Sequence, residues 1–161
     1  MKQKFCSQIF KFRDMKERHS SLRRTLNKLQ AQSSTQRKGV YRHHHDHQVF
    51  AAEILQEIFN IFSKNLTQSA WDETSIVRFQ NGLYQQIQRL EACLRTQMEK
   101  ELTKPESEEL QLTSRRVKKY FQEIDAFLKE KQYSLCAWEI IRVEIPRCFV
   151  LIDKLTRRLS N

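Results

Sequence analysis

The sequence predicts an all-α domain in which five helices pack as a bundle. Among its 161 residues only two are glycine and two are proline, whereas average usage is about 12% for the two combined. Folds built from strands need these residues at their tight turns, so their scarcity favours long helices. Hydrophobic residues make up 39% of the chain, which is enough for one core at this length. We therefore expect a single domain over residues 1–161.

The first two helices are predicted over residues 5–32 and 48–64. Apolar residues recur at helical spacing in both ranges, most densely in the second. Residues 33–47 between them are polar and lack this periodicity, which predicts a loop. Asn65-Leu-Thr67 follows the second helix and forms a glycosylation sequon, so Asn65 is a candidate glycosylation site.

Three further helices are predicted over residues 69–100, 110–130 and 134–158. Ser69 with Asp72 resembles a capping box at the start of the third helix, and Ser134 is a candidate N-cap for the fifth. Pro146 lies inside the fifth helix. Because an interior proline removes a backbone hydrogen bond, we expect this helix to bend between Arg142 and Pro146.

Nothing in the sequence predicts a catalytic or metal site. There is no glycine-rich phosphate loop, no G-x-S-x-G and no H-E-x-x-H. Cys136 could act as a nucleophile only with a histidine near it, and all five histidines lie in the first third of the chain. The histidine-rich residues 43–47 lack a second set of ligands and predict at most an adventitious surface site. We expect no enzyme activity, no metal and no cofactor.

The charge of the chain predicts affinity for polyanions. Twenty-nine Lys and Arg against 19 Asp and Glu give a net charge of +10, which attracts nucleic acid or heparan sulfate-like chains. Basic doublets such as Arg115-Arg116 are suited to neutralising phosphates, but they are dispersed and show no helix-turn-helix spacing. A solvated basic surface without a partner is the alternative.

No stretch approaches ~18 consecutive apolar residues, and the N-terminus does not resemble a signal peptide. We expect no membrane insertion, and either a leader that has been removed from this chain or a protein that starts without one.

The four cysteines are Cys6, Cys93, Cys136 and Cys148, and no C-x-x-C motif is present. This disfavours a zinc site or thioredoxin-like chemistry. Cys136 and Cys148 lie on one predicted helix about 18 Å apart, whereas the Cα atoms of a disulfide approach within about 7 Å. The remaining pairings stay open on these grounds.

Four segments in order resemble the type I interferons, a family of helical antiviral cytokines. They are EILQEIFNIFS at 53–63, AWDET at 70–74, LYQQIQRLEAC at 83–93 and KKYFQEIDAFLKEKQYSLCAWEIIRVEI at 118–145. The last of these contains the run CAWEIIRVEI, which resembles the signature of the family's final helix. Agreement of four ordered segments is specific, and it covers the chain from Ala51 onward.

This resemblance implies an up-up-down-down bundle of five helices, secreted and monomeric, that bridges two different receptor chains and signals through receptor-bound kinases and STAT factors. The high-affinity receptor chain would contact the fifth helix at Arg142, Val143, Pro146, Arg147 and Leu151. The low-affinity chain would contact the second, third and fourth helices at Glu53, Gln56, Phe59, Asn60, Tyr84 and Lys118.

The resemblance also implies a disulfide between Cys6 and Cys93. Cys136 matches a family cysteine whose bonding partner lies in a loop that is shortened here at residues 31–49, so we expect Cys136 to be free or paired unusually. Two alternative functions stand beside the cytokine. One is a basic helical bundle that binds heparan sulfate or nucleic acid, and the other is an interferon relative with weak or no signalling.

Overall fold

The computed structural model describes residues 19–28, 40–64, 66–67, 69–98 and 108–156. Over these ranges the chain is helical and contains no strand. The helices are α1 over residues 19–28, α2 Val40–Phe62, α3 Glu73–Met98, α4 Glu108–Glu130 and α5 Leu135–Thr156. The predicted all-α bundle of five helices is confirmed. No helix in the described part of the chain combines the length and apolarity needed to cross a lipid bilayer.

Helix α2 is the centre of the bundle, because it packs against α3, α4 and α5. Its apolar residues cover a wide arc, which lets one helix bury contacts with three neighbours. The buried ones are Phe50, Ala51, Ile54, Leu55, Ile58, Ile61 and Phe62. Glu53 contacts Ser114, and Lys64, just beyond the end of α2, pairs with Asp125, further along α4. Helices α2 and α4 therefore run parallel.

An aromatic cluster holds the start of α5 against the end of α2. Trp138 is fully buried, and its ring lies 5.6 Å from Trp71 and 6.0 Å from Phe62. Phe62 also meets Phe79 of α3 edge-on at 4.9 Å. Each such aromatic pair contributes about 0.5–1.5 kcal/mol beyond its buried area, so this cluster fixes the ends of three helices together.

The turn between α4 and α5 determines where the last helix begins. The N–H of Tyr133 donates to the carbonyl of Leu128 at 2.8 Å, which is the six-residue bond of a Schellman motif. Gln132 and Tyr133 adopt φ of 55° and 54°, the left-handed conformation that glycine adopts most easily. The Oγ of Ser134 then accepts a hydrogen bond from the N–H of Ala137 at 3.3 Å. The predicted N-cap at Ser134 is confirmed.

Two predicted helix starts are wrong. Helix α2 begins at Val40, so residues 40–47, predicted as loop, are helical. No glycine or proline occurs between Val40 and Phe62 to interrupt the helix, and the low hydrophobic periodicity of residues 40–47 concealed it. Helix α3 begins at Glu73, and Asp72 rather than Ser69 receives the hydrogen bond of its first turn, from the Oγ of Ser75. Ser69 instead closes a turn with Leu66. Within the described ranges, no three or more metal-ligating side chains are arranged so that they could hold a metal ion.

The predicted disulfide between Cys6 and Cys93 is wrong. Cys93 carries a free thiol on the exposed side of α3. Cys136 is disulfide-bonded, so of the two states expected for it, free or paired, the structure shows the paired one. Cys148 is free and buried, in agreement with the exclusion of a Cys136–Cys148 pair. Cys6 and Asn65 lie outside the described residues.

The two free thiols differ in environment, and we expect them to react at different rates. Cys93 is exposed, whereas burial raises the pKa of Cys148 to about 12, so its thiolate form is scarce and shielded. Brief alkylation of the native protein at about pH 8 should label Cys93 and leave Cys148 unlabelled, as measured by peptide mass spectrometry. Unfolding should expose Cys148 to the reagent.

The Cys93→Ser variant is the matched control for that experiment, since it should lose the rapidly labelled peptide and change nothing else. Rapid labelling of Cys148 in the native protein, or an absence of labelling at Cys93, would show that the assignment of the two thiols is wrong.

Candidate functional site

The outward side of α5 carries a stripe of cationic and apolar side chains. Arg142, Pro146 and Val150 are exposed and are spaced four residues apart, while Val143 and Arg147 are half-buried beside them. Residues at this spacing lie on one helical face. The structure thus brings together four of the five residues predicted for the high-affinity surface, and we refer to the five named here as the α5 stripe.

Leu151 was predicted on the same surface, and that prediction is wrong. Its side chain is 2% exposed and belongs to the core. Each residue of a helix is rotated by about 100° from the one before it, so Leu151 lies on the same side of α5 as Glu144 and Cys148. Both of these residues are buried. Val150, one position earlier, is 55% exposed and was missed by the sequence analysis. The four-residue spacing from Pro146 was the signal that pointed to it.

Both arginines of the stripe are held by glutamates of the same helix. The Nε of Arg142 donates to Glu139 Oε2 at 3.0 Å, and the Nη1 of Arg147 donates to Glu144 Oε2 at 3.4 Å. Each glutamate precedes its arginine by three residues, which is a favourable orientation on a helix. Both glutamates are buried. Because a guanidinium has five N–H donors, each arginine can bind a partner while its glutamate fixes its position.

Glu144 is the inner end of a buried polar group that links α4 and α5. Its side chain is 0% exposed, and its Oε1 accepts a hydrogen bond from the hydroxyl of Tyr120 at 2.7 Å. The same hydroxyl lies 3.8 Å from the Sγ of Cys148. Burial raises the pKa of Tyr120 far above its usual value, so the hydroxyl remains a donor. A buried carboxylate needs such partners, because an uncompensated charge in the core is strongly destabilising.

Helix α1 completes this polar group through His19. The ring of His19 meets Tyr120 edge-on at 6.0 Å, and the His19 side chain is buried. Burial lowers the pKa of His19, an effect to which the charges of Arg147 and Arg23 add and which Glu144 opposes. The imidazole is therefore neutral at physiological pH.

An apolar groove of about 490 Å³ lies between the beginning of α3 and the middle of α5. This volume falls within the range of ligand pockets, about 300–1,000 Å³. Its apolar walls include Trp71, Ile76, Phe79, Ile145 and Phe149. Arg142 and Pro146 also line it, so the groove opens beside the α5 stripe.

A second surface is formed by α2 together with α3. Gln56 and Asn60 are exposed one turn apart, and their side-chain amides hydrogen-bond at 3.2 Å. Phe59 is half-buried, and its ring centroid lies 6.4 Å from that of Tyr84. Tyr84 is 54% exposed, which is unusual for a large aromatic side chain and is typical of a contact surface.

Helix α4 extends this second surface. The Oγ of Ser114 donates to both carboxylate oxygens of Glu53, at 2.8 and 3.0 Å. Lys118, one turn later on α4, is exposed. Burial raises the pKa of Glu57, and Lys118 opposes that rise, so the two side chains are near each other. The structure therefore places all six residues predicted for the low-affinity receptor chain on one surface, and adds Glu57 and Ser114. We call these eight residues the α2 surface.

The α5 stripe and the α2 surface are formed by different helices. Helices α2 and α5 pack against each other, and each surface is formed by the exposed side of its own helix. The two surfaces share no residue.

Comparison with known proteins identifies several relatives. The model of the interferon alpha/beta domain family matches residues 28–159. Interferon alpha-2 of Equus caballus is 47% identical over 97 residues, which is 60% of this chain and 51% of the relative. Interferon tau of Cervus elaphus is 44% identical over 109 residues, covering 68% and 54% of the two chains. The matched part thus spans about half the length of these two relatives. Interferon epsilon of Sus scrofa is 37% identical over 150 residues, covering 84% and 76%.

Replacement of Pro146 by alanine should stabilise the protein. Helix α5 continues through Pro146 without interruption, although proline cannot donate the bond that the carbonyl of Arg142 would accept. Alanine restores this bond, and we expect the free energy of unfolding to rise by about 1–3 kcal/mol, measured by urea unfolding. Val150→Ala is the control at an exposed position of the same helix and should change it by about 0.5 kcal/mol or less. Equal effects of both substitutions would contradict the explanation.

Protonation of His19 should destabilise the fold. The unfolded chain takes up this proton near the usual pKa of 6.5, whereas the folded chain takes it up only at lower pH. Between these values the unfolded state binds more protons, so stability falls as the pH falls below about 6.5 and loses no more from this group below the folded pKa. Urea unfolding between about pH 7 and pH 5 should show a shallower slope for His19→Gln than for the original protein. Identical slopes would exclude this role of His19.

Proposed function

The chain belongs to the type I interferon family, and from this membership we propose that it is a secreted cytokine that binds and bridges both chains of the type I interferon receptor. Type I interferons are cytokines and not enzymes, in agreement with the expected lack of catalytic activity. Bridging the two chains would activate receptor-bound kinases and STAT factors, and so produce an antiviral response.

The paired arginines of the α5 stripe are the observation that carries this proposal. Arg142 and Arg147 are each held by a buried glutamate of the preceding turn, so little conformational freedom is lost when a partner binds them. Arginine is enriched among the residues that dominate binding at protein interfaces, since its planar fork donates several bonds and packs on apolar groups. We assign this stripe to the high-affinity receptor chain.

The groove beside the stripe supplies an apolar complement to these charges. It is bordered by Arg142 and Pro146 and has Trp71 in its wall, whose buried indole N–H has no hydrogen-bond partner. Interfaces gain affinity where an apolar anchor enters a pocket surrounded by polar contacts. We therefore place an apolar side chain of the high-affinity receptor chain in this groove.

We assign the α2 surface to the low-affinity receptor chain. It combines an exposed aromatic ring at Tyr84 with the paired amides of Gln56 and Asn60, a composition that is typical of contact surfaces. Because this surface shares no residue with the α5 stripe, the two receptor chains would not compete for the same residues. This separation supports the proposal that one monomer binds both chains.

Substitution of Arg147 tests the high-affinity assignment. Removal of its guanidinium should weaken binding to the high-affinity receptor ectodomain by at least about tenfold, or about 1.4 kcal/mol, in surface plasmon resonance. Binding to the low-affinity ectodomain should not change. Arg95→Ala removes an exposed charge of α3 outside both surfaces and is the matched control.

The stability of the variant must be separated from its binding, because Arg147→Ala leaves the charge of Glu144 buried without its ion pair. The double variant Glu144→Gln with Arg147→Met removes both charges and should show the same loss of binding while retaining its helical circular dichroism. Undiminished binding of the folded double variant would exclude the α5 stripe as the high-affinity surface.

Reporter-gene induction distinguishes this function from the two alternatives. A relative that preserves the fold without signalling would bind neither or only one ectodomain and would induce no reporter. A bundle that binds only polyanions would retain binding to heparin while inducing no reporter at micromolar concentration.

A further inference from the structure

Helices α1 and α4 meet at a surface with a high density of positive charge. Five exposed side chains define it, and we refer to them as the basic face: Arg24, Lys28, Arg115, Arg116 and Lys119. The Nη1 of Arg116 donates to the Oγ1 of Thr25 at 3.1 Å. This bond joins the two helices at the face and brings its two rows of cations side by side.

Helix geometry gives the basic face a regular spacing. Arg24 and Lys28 are one turn apart on α1, and Arg115 and Lys119 are one turn apart on α4, so each pair is separated by about 6 Å along its axis. Packed helices lie about 8–10 Å apart. The cations therefore cover a surface that an extended, linear polyanion could follow across both helices.

Among the described residues, few acidic side chains lie near this face in the sequence. Residues 19–28 and residues 110–122 contain no Asp or Glu. Glu123 is the first acidic residue that follows on α4, one turn beyond Lys119. Elsewhere the acidic side chains of α2 and α5 are used within their own contacts, as at Glu53 and Glu144. Within the described ranges, cations therefore outnumber carboxylates on this part of α1 and α4, which gives the basic face a positive potential.

The chemistry of the face favours a sulfated polysaccharide over nucleic acid. Single-stranded nucleic acids are bound largely by stacking on exposed aromatic rings, and the aromatic residues of α4 nearest the face, Tyr120 and Phe121, are buried. The disulfide at Cys136 is typical of proteins of an oxidising, extracellular compartment, where sulfated polysaccharides are an abundant polyanion. Three of the five cations are arginines, whose fork suits bidentate contact with anionic oxygens.

We propose that the basic face is a binding site for a sulfated glycosaminoglycan chain. It shares no residue with the α5 stripe or the α2 surface, and Lys118 of the latter lies towards Glu57 and α2. The site does not depend on the proposed receptor function, and it would hold the protein on an extracellular polysaccharide while leaving both receptor surfaces accessible.

A pair of charge-matched variants tests the site. The face variant combines Arg24→Gln, Lys28→Gln, Arg115→Gln and Lys119→Gln, and retains Arg116 because it contacts Thr25. The control variant changes four exposed cations outside the face, by Arg78→Gln, Arg89→Gln, Arg95→Gln and Lys129→Gln. Both lose the same net charge, so a difference between them reports the position of the charges and not their number.

Titration with a size-defined heparin oligosaccharide at about 0.15 M salt gives the decisive comparison. We expect the face variant to bind at least about tenfold more weakly than the original protein, and to show a weaker dependence of affinity on salt. The control variant should lose less than about threefold. Equal losses in the two variants would show that only net charge matters and would overturn the proposal. Equal or tighter binding of duplex DNA by the original protein would overturn the assignment to a polysaccharide.

Lysine acetylation of the original protein provides a test that needs no variant. Heparin should protect Lys28 and Lys119 from acetylation and should leave Lys129 reactive, as measured by peptide mass spectrometry. Protection of Lys129 to the same degree as Lys28 and Lys119 would contradict a site at the basic face.

Discussion

The buried carboxylate of Glu144 connects the core of this protein to its surface. The charge is tolerated in the core because Tyr120 donates to one oxygen and Arg147 to the other. Tyr120 in turn positions His19 of α1 through their ring contact. One buried group therefore holds three helices together and fixes the direction of an arginine on the outer side of α5. The packing of the bundle and the composition of the α5 stripe depend on the same interaction.

The remaining surfaces follow from how the helices share this core. Helix α2 uses most of its circumference for packing, which leaves a narrow exposed side with Gln56 and Asn60. Helix α5 packs its buried side on α2 and leaves Arg142, Pro146 and Val150 outside. The cations of α1 and α4 are exposed because the apolar sides of these helices are buried in the core. Three surfaces of different chemistry, two assigned to receptor chains and one to a polyanion, thus result from one set of packing constraints.

Features that depend on local signals in the sequence were predicted correctly, whereas features that depend on packing between distant segments were not. The positions of α3, α4 and α5 were predicted within a few residues because apolar periodicity and caps such as Ser134 are local signals. The start of α2 was missed because residues 40–47 carry little apolar periodicity, and a helix does not require it. Leu151 was misassigned because the resemblance gave a residue list without the rotation of α5 relative to its neighbours. Cys93 was misassigned because a disulfide depends on where distant segments meet, which four isolated cysteines do not specify.

The sequence by itself determined the fold class, the family and four of the five residues of the α5 stripe. Both helical periodicity and the similarity of ordered segments to a family depend only on the order of the residues. It also determined the excess of positive charge. Only the tertiary structure decided that Glu139 and Glu144 lie buried beneath Arg142 and Arg147, that Leu151 is part of the core, and that Cys136 is bonded while Cys93 is free. It alone brought the cations of α1 next to those of α4 through the bond between Thr25 and Arg116. Burial and long-range contact arise from the packing of whole helices, and the local pattern of a sequence fixes only which side of each helix is apolar.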